Sequence, residues 1–346
     1  MIESHNLNRM GWQPFFQQQL SLEEWENCRP FRVVEQYRSE LRLESGSQHI
    51  SLPILASMPA VVVGDWLLLD EQQRYVRLLE RKTTFARKAA GSKVERQLIS
   101  SNVDTAFILC SMNEDFNLNR IERFLAVVNE AGAEPVVLLS KCDLAEDPES
   151  YVNKVRGLDS YLAVEALNCT SEQSLKVIEH WIKPANTIAV LGSSGVGKSS
   201  LINTLAGEQQ QSTSAIREDD SKGRHTTTKR SLIKLNNGAL IIDTPGMREI
   251  QLADCKEGIV STFADIEKFA EACRFQDCQH HNEPGCAVLA AVEQGELQSR
   301  RLDNYLKLLR EESLNSASLA QRRASDKALG KFYKRTMVDS NKLKGR

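Results

Sequence analysis

No stretch of this 346-residue sequence approaches the run of about 18 apolar residues that a membrane-spanning helix needs. The opening MIESHNLNRMGW has neither the basic region nor the apolar core of a secretory signal. A cytoplasmic protein without membrane contact is expected. Excess charge is missing too: 44 Lys and Arg against 46 Asp and Glu leave a net charge of −2, so any nucleic-acid contact must be a local patch. Aromatic residues are few, at 6%, but 41% of the chain is hydrophobic and can supply globular cores. In a cytoplasmic setting the eight cysteines read as thiols or metal ligands, which excludes a disulfide framework.

The length allows two or three domains, and the texture changes along the chain. Residues 1–29 form a polar extension, with Gln17 to Gln19 in a row, to which no chemistry is assigned. Over 30–98 the short segments FRVVEQY, SELRLES, HISLPIL, DWLLLD and YVRLLER alternate between Gly46, Pro53, Pro59 and Gly64. They predict a small antiparallel barrel and a linker, OB-type first and SH3-like as the alternative. Residues 99–261 alternate strand and helix: VDTAFILCSM, NRIERFLAVVNEAG, PVVLLSKCDL, ESYVNKVRGL, YLAVEAL, SLKVIEHWI. This is the signature of a parallel sheet with helices on both faces. KRSLIKL and GALIIDT then read as a hairpin about Asn237-Gly238, and 262–346 is helical and cysteine-rich with a basic tail. That tail, from Gly330, interleaves Phe332 and Tyr333 with lysines; RLLERKTTFARKAAGSKVERQ (77–97) is similarly basic. Such runs are solvated faces or nucleic-acid patches.

Chemistry enters at TIAVLGSSGVGKSSLINTL. An apolar strand, Ile188 to Leu191, runs into Gly192, Ser193, Ser194, Gly195, Val196, Gly197, Lys198 and Ser199, which fills every fixed position of G-x-x-x-x-G-K-[ST]; Ser200 begins the helix beyond. Glycines let successive amides turn inward around phosphate oxygens, Lys198 sets a charge against the outer phosphates, and Ser199 offers a hydroxyl to Mg²⁺. The bland alternative is a glycine turn before an ordinary helix. GALIIDTPGM adds Asp243 at the end of an apolar strand, where a carboxylate serves the Mg²⁺ shell, and Gly246, whose amide serves a γ-phosphate. Between the two lies KGRHTTTKR, where Thr227 or Thr228 can reach Mg²⁺ as a switch hydroxyl; the spacing to the next strand favours Thr228. Otherwise it is a threonine-rich loop that starts a strand.

No N-K-x-D follows Asp243. Upstream, PVVLLSKCDL ends in Ser140, Lys141, Cys142 and Asp143, an S-K-x-D in which Asp143 reads guanine and Lys141 lies along the base, so GTP and GDP are the expected ligands. An ATPase is disfavoured by Asp143. Asn168, Cys169 and Thr170 follow the next strand as a further base-facing loop. The base motif thus precedes the phosphate motifs, and closing the usual GTPase sheet requires a circular permutation. Met247 stands where Gln commonly orients the attacking water, so intrinsic hydrolysis is expected to be slow, with His225 of GRHTTT as the candidate for that role.

From about residue 30 onward, these motifs resemble the ribosome small subunit-dependent GTPase A (RsgA) family of circularly permuted GTPases. The resemblance implies an OB-fold, a permuted GTPase domain, a C-terminal zinc domain, and GTP hydrolysis stimulated by the small ribosomal subunit during late maturation, with ribosomal RNA as a partner. SKCD, the NCT loop and the long N-terminal extension depart from the pattern and suggest a divergent branch. CRFQDCQHHNEPGC spaces Cys273, Cys278, His280 and Cys286 as C-x₄-C-x-H-x₅-C, a Cys₃His set suited to one structural Zn²⁺. His281 competes for the third place, and the likeness to the family's site favours His280. A monomer is expected. The alternative function is a GTP-dependent RNA- or ribosome-binding module with negligible turnover.

Overall fold

The structure, a computed structural model, describes residues 7–88, 96–207, 230–243 and 255–316. The N-terminal extension buries more than its polar composition suggests. Leu7, Met10, Trp12 and Phe16 are all buried in the main core, and Trp12 meets Trp66 edge-on. Pro14–Gln17 (α1) starts with proline at its first turn, and Leu22–Asn27 (α2) starts with a reciprocal capping box between Ser21 and Glu24.

Five strands follow where alternation predicts them: Cys28–Gln36 (β1), Glu40–Ser45 (β2), Gln48–Pro53 (β3), Trp66–Asp70 (β4) and Tyr75–Leu78 (β5). They pair antiparallel in the order β3-β2-β1-β4-β5, so β1 is shared by both hairpins. Period-two alternation divides β1: Phe31 and Val33 face a small core with Leu41, Leu43, Leu67 and Leu69, while Arg32 and Val34 face the main body. The basic run 77–97 is more than solvated surface. It includes Thr84–Lys88 (β6), which pairs with Arg96–Ser101 (β7), and the hairpin buries Phe85 and Ile99 completely.

Every residue of Thr105–Ser111 (β8) is buried, as befits a parallel strand covered on both faces. Beyond it come Leu118–Ala131 (α3), Glu134–Ser140 (β9), Pro148–Arg156 (α4), Ala163–Leu167 (β10), Thr187–Gly192 (β11), Lys198–Ala206 (α5), Arg230–Lys234 (β12) and Leu240–Asp243 (β13). Strands β10-β9-β8-β11-β13 are parallel, and β12 closes antiparallel on β13. One expected helix is absent: SLKVIEHWI holds only a 3₁₀ turn, Ser174–Ile178. Leu175 and Ile178 are its buried residues, and that i,i+3 spacing stacks on one side of a 3₁₀ turn. The Ser174 hydroxyl is spent on the Asn168 amide at 2.8 Å.

β12 also pairs with β1, Glu35 opposite Ser231 and Gln36 opposite Arg230, so one eleven-stranded sheet joins the two strand sets. Arg32 secures the same junction from inside. Almost fully buried, it donates to the carbonyls of Met10 and Asn102 and to Thr187 Oγ1, and burial lowers its pKa to about 10. Gly11 (φ +83°) makes this possible, because a Cβ there would lie 2.3 Å from the guanidinium.

The chain closes with Lys256–Thr262 (α6), Ala264–Ala270 (α7), Ala287–Glu293 (α8) and Ser299–Ser316 (α9). α6 lies close against α3 at Gly258, where a Cβ would sit 2.0 Å from the Ala126 carbonyl oxygen. α9 seats on α3 through Glu122, which is fully buried and accepts from Arg300, Arg301 and Asn304. Among the described residues no helix is long and apolar enough to cross a membrane.

Candidate functional site

The chain lays down β8, β9 and β10 outward in one direction, then returns to place β11 and β13 on the other side of β8. This reversal opens a crevice at the carboxyl ends of the strands, the place where open parallel sheets bind ligands. Four sequence segments meet along that edge. SKCD begins on the last residue of β9, NCT follows β10, GSSGVGKSS begins on the last residue of β11, and Asp243 ends β13.

Gly192, Gly195 and Gly197 carry φ of 143°, 77° and 103°, a path that side chains would strain. A Cβ on Gly192 would come within 2.5 Å of the Leu109 carbonyl, and one on Gly197 within 3.1 Å of Cys169 Sγ. Ser194 and Gly195 are exposed at the tip, while Val196 is buried as its anchor. Lys198 opens α5 and its ammonium donates to the Gly192 carbonyl at 2.7 Å and to the Ser193 carbonyl. Ser199 and Ser200 follow in the first turn, half-buried, beside the positive end of the helix.

On the base side, Ser140 is fully buried and donates to the Val196 carbonyl at 2.6 Å. The residue at the position of the usual Asn therefore ties the end of β9 to the phosphate loop. Lys141 adopts φ 61° and caps the 3₁₀ turn Cys142–Leu144, leaving Asp143 exposed. Asn168 Oδ1 accepts from the amide and hydroxyl of Thr170 at 2.9 and 2.8 Å, which shapes the neighbouring loop. Cys169 is buried beneath the phosphate loop; burial, and next the nearby Cys142, push its thiol up to about 12. Burial raises Cys142 as well, so neither is a ready nucleophile.

Asp243 is half-buried at the end of β13, opposite Ser231. His225, Thr227, Thr228, Gly246 and Met247 lie outside the described residues, as does the basic tail from Gly330. Sequence reasoning missed one neighbour of the loop: Arg120, in the first turn of α3, donates to Ser193 Oγ at 2.9 Å. No motif marks it, because the contact spans 73 positions.

A second group lies between α7 and α8. The ligand atoms of Cys273, Cys278, His280 and Cys286 all lie within 4.8 Å of one another. Cys273 Sγ is 3.9 Å from Cys286 Sγ and 3.7 Å from His280 Nδ1, which is 3.4 Å from Cys286 Sγ. Such edges match a tetrahedron whose bonds to a central ion are about 2.0–2.3 Å, so the set can hold a metal. Burial lowers the His280 pKa, which favours the neutral ring a metal needs. Burial raises the Cys273 thiol, but hydrogen bonds from the amides of Val288 and Ala287 and from Cys286 and Cys278 together leave its pKa lowered. His281 is exposed outside the group. None of the eight cysteines forms a disulfide.

Comparison with known proteins places this architecture. The family model described as RsgA GTPase matches residues 78–253. A protein named small ribosomal subunit biogenesis GTPase RsgA 2 from Vibrio vulnificus is 53% identical over 342 residues, covering 99% of this chain and 98% of its own. The small ribosomal subunit biogenesis GTPase RsgA of Mesorhizobium japonicum is 43% identical over 338 residues, covering 96% and 97%. Among solved structures, YjeQ from Thermotoga maritima superposes with a TM-score of 0.61 at 23% identity, covering 82% of this chain and 98% of that one. YloQ, described as a circularly permuted GTPase, gives 0.60 at 24%, covering 84% and 96%. The strand order and the near full-length identity agree, and the chain belongs to the RsgA GTPase family.

Proposed function

We propose that this protein is a GTPase that binds the small ribosomal subunit and couples GTP hydrolysis to its late maturation. The observation that carries the reading is the convergence of four separate segments, SKCD, NCT, GSSGVGKSS and Asp243, along one sheet edge at the switch point between β8 and β11. The names of the Vibrio and Mesorhizobium relatives support the ribosomal part.

In this reading Asp143 accepts from the guanine N1–H and amine, and Lys141 lies along the base. The amides of residues 192–198 cradle the phosphates, and the Lys198 ammonium neutralises the outer ones. Ser199, Thr228 and Asp243 hold Mg²⁺, which supplies charge neutralisation to the leaving diphosphate. Gly246 offers its amide to the γ-phosphate, and His225 orients the attacking water. The Cys₃His group holds one structural Zn²⁺; four protein ligands fill its shell and leave no position for catalysis. The antiparallel strands β1–β5 and the basic tail contact ribosomal RNA from a cytoplasmic monomer.

The test is GTP hydrolysis by the purified full chain with and without small ribosomal subunits, beside Lys198→Ala and His225→Ala. We expect strong stimulation, abolished in the lysine variant and reduced about a hundredfold in the histidine variant, the loss that a misplaced reactant brings. Guanine-specific binding without stimulated turnover would instead identify a binding module.

A further inference from the structure

Arg120 occupies a position that the reading above does not use. Its Nη1 donates to both carboxylate oxygens of Asp115 at 2.7 Å and to Ser193 Oγ at 2.9 Å. Ser193 is the second residue of the phosphate loop, and its carbonyl accepts from Lys198. Two cations thus hold one loop residue, by its side chain and by its backbone. Asp115 lies in the turn before α3 with both its oxygens 2.7 Å from Arg120 Nη1, a partly exposed ion pair that draws the guanidinium toward the loop.

The same helix carries the seat of α9. Two residues along, Glu122 is fully buried and takes hydrogen bonds from Arg300, Arg301 and Asn304, and Arg123 pairs with Glu311 at 2.6 Å. At 3.6 residues per turn a step of two rotates by about 200°, so Arg120 and Glu122 leave opposite sides of α3. One side meets the loop and the other meets α9. Burying a carboxylate among arginines costs about as much desolvation as their attraction returns. Net stability therefore does not account for the cluster, whose fixed geometry sets where α9 lies on α3.

We propose that Arg120 is a positioning residue for GTP hydrolysis: it holds the phosphate loop at Ser193 and, through α3, links that loop to the seat of α9 on Glu122. The inference rests on the GTPase reading. Arg120 touches the loop and acts through it, so it should change kcat more than nucleotide affinity.

The experiment compares full-length wild type, Arg120→Ala, Arg120→Lys, Ser193→Ala, the Arg120→Ala/Ser193→Ala double variant and Glu122→Gln. It reads subunit-stimulated kcat and KM, affinity for a fluorescent GDP, and Tm. Arg120→Ala and Ser193→Ala should each lower kcat about tenfold with affinity changed less than about threefold. The double variant should fall no further, because both changes remove one contact. Arg120→Lys should recover part of the rate, and Glu122→Gln should lower kcat without compounding the Arg120→Ala loss. If Glu122→Gln does not fold, Arg123→Ala, which breaks the pair with Glu311, takes its place. An unchanged kcat in Arg120→Ala, or losses that multiply in the double variant, overturns the loop contact. Losses that multiply between Arg120→Ala and the α9-seat variant overturn the link to α9. Lys198→Ala separates the two readings: wild-type hydrolysis in that variant would sink the GTPase reading itself, whatever Arg120 does.

Discussion

A serine stands where guanine-binding loops usually carry asparagine, and it is buried against the phosphate loop. Ser140 Oγ reaches the Val196 carbonyl at 2.6 Å, so the end of the base-side strand and the phosphate loop share a hydrogen bond. Removing one partner of a buried bond costs about 1–3 kcal/mol, because the other is left unsatisfied. Ser140→Ala should therefore lower GDP affinity by roughly tenfold, equivalent to about 1.4 kcal/mol, while GTP stays preferred over ATP through Asp143. A fluorescent-nucleotide titration measures both. Unchanged affinity would mean that the loop keeps its shape without the tether. The S-K-x-D pattern itself was legible in sequence; the bond was not, since its partners lie 56 positions apart.

Among the elements, α2 shows how a helix in a polar extension becomes fixed. Its capping box is readable as Ser21 followed by Glu24 three residues later, but Glu24 has a second task. Arg77, just before the end of β5, donates to both its oxygens at 2.6 and 3.0 Å. The hydrogen bond from Arg77, then that from the Ser21 amide, lowers the Glu24 pKa from 4.5 to about 2. The folded-state pKa is depressed, so this contact stabilises fully above pH 4.5 and fades as the pH falls through about 2. A partly exposed pair of this kind is worth about 0.5–1 kcal/mol. Glu24→Gln should melt about 1 °C below wild type at pH 7, and the gap should close between pH 4.5 and 2. A gap that persists at pH 2 would assign the difference to packing. β6 and β7 teach the converse: charge drew attention to the run 77–97, while the strand pairing that buries Phe85 and Ile99 emerged only in the fold.

Across the whole molecule, two constructions hold distant parts together. β1 pairs with β4 along its first half and with β2 along its second, and its end reaches β12, so β1–β5 continue the parallel sheet. The Cys₃His group instead closes the chain between α7 and α8, in a stretch with little regular structure to support it. Because a metal ion held by four protein ligands contributes folding free energy directly, removing it should unfold that stretch locally. Cys286→Ser, or exhaustive chelation, should remove one zinc per chain and strip amide protection from residues 271–298. Affinity for GDP should change less than about threefold, because the nucleotide edge lies on β9, β10, β11 and β13. Hydrogen exchange with metal analysis checks this. Full protection without metal would show that apolar packing alone holds the segment.

The segments that the structure brings to the sheet edge, namely the phosphate-loop motif, the end of β13 and the base-side S-K-x-D, and the four members of the Cys₃His group were legible in sequence. Each depends on a few neighbouring positions whose backbone angles and side-chain chemistry suffice to define it. The permuted order of those motifs was visible too, because order is a property of the chain. Tertiary structure alone decided that Arg32 would be buried against Met10, Asn102 and Thr187, that β1 would pair with β12, and that Arg120 would grip Ser193. These contacts join segments from 22 to 196 positions apart, the widest being Glu35 opposite Ser231. Their geometry is fixed by how sheet and helices pack and by the partners that buried polar groups find there, with no signature in any one stretch.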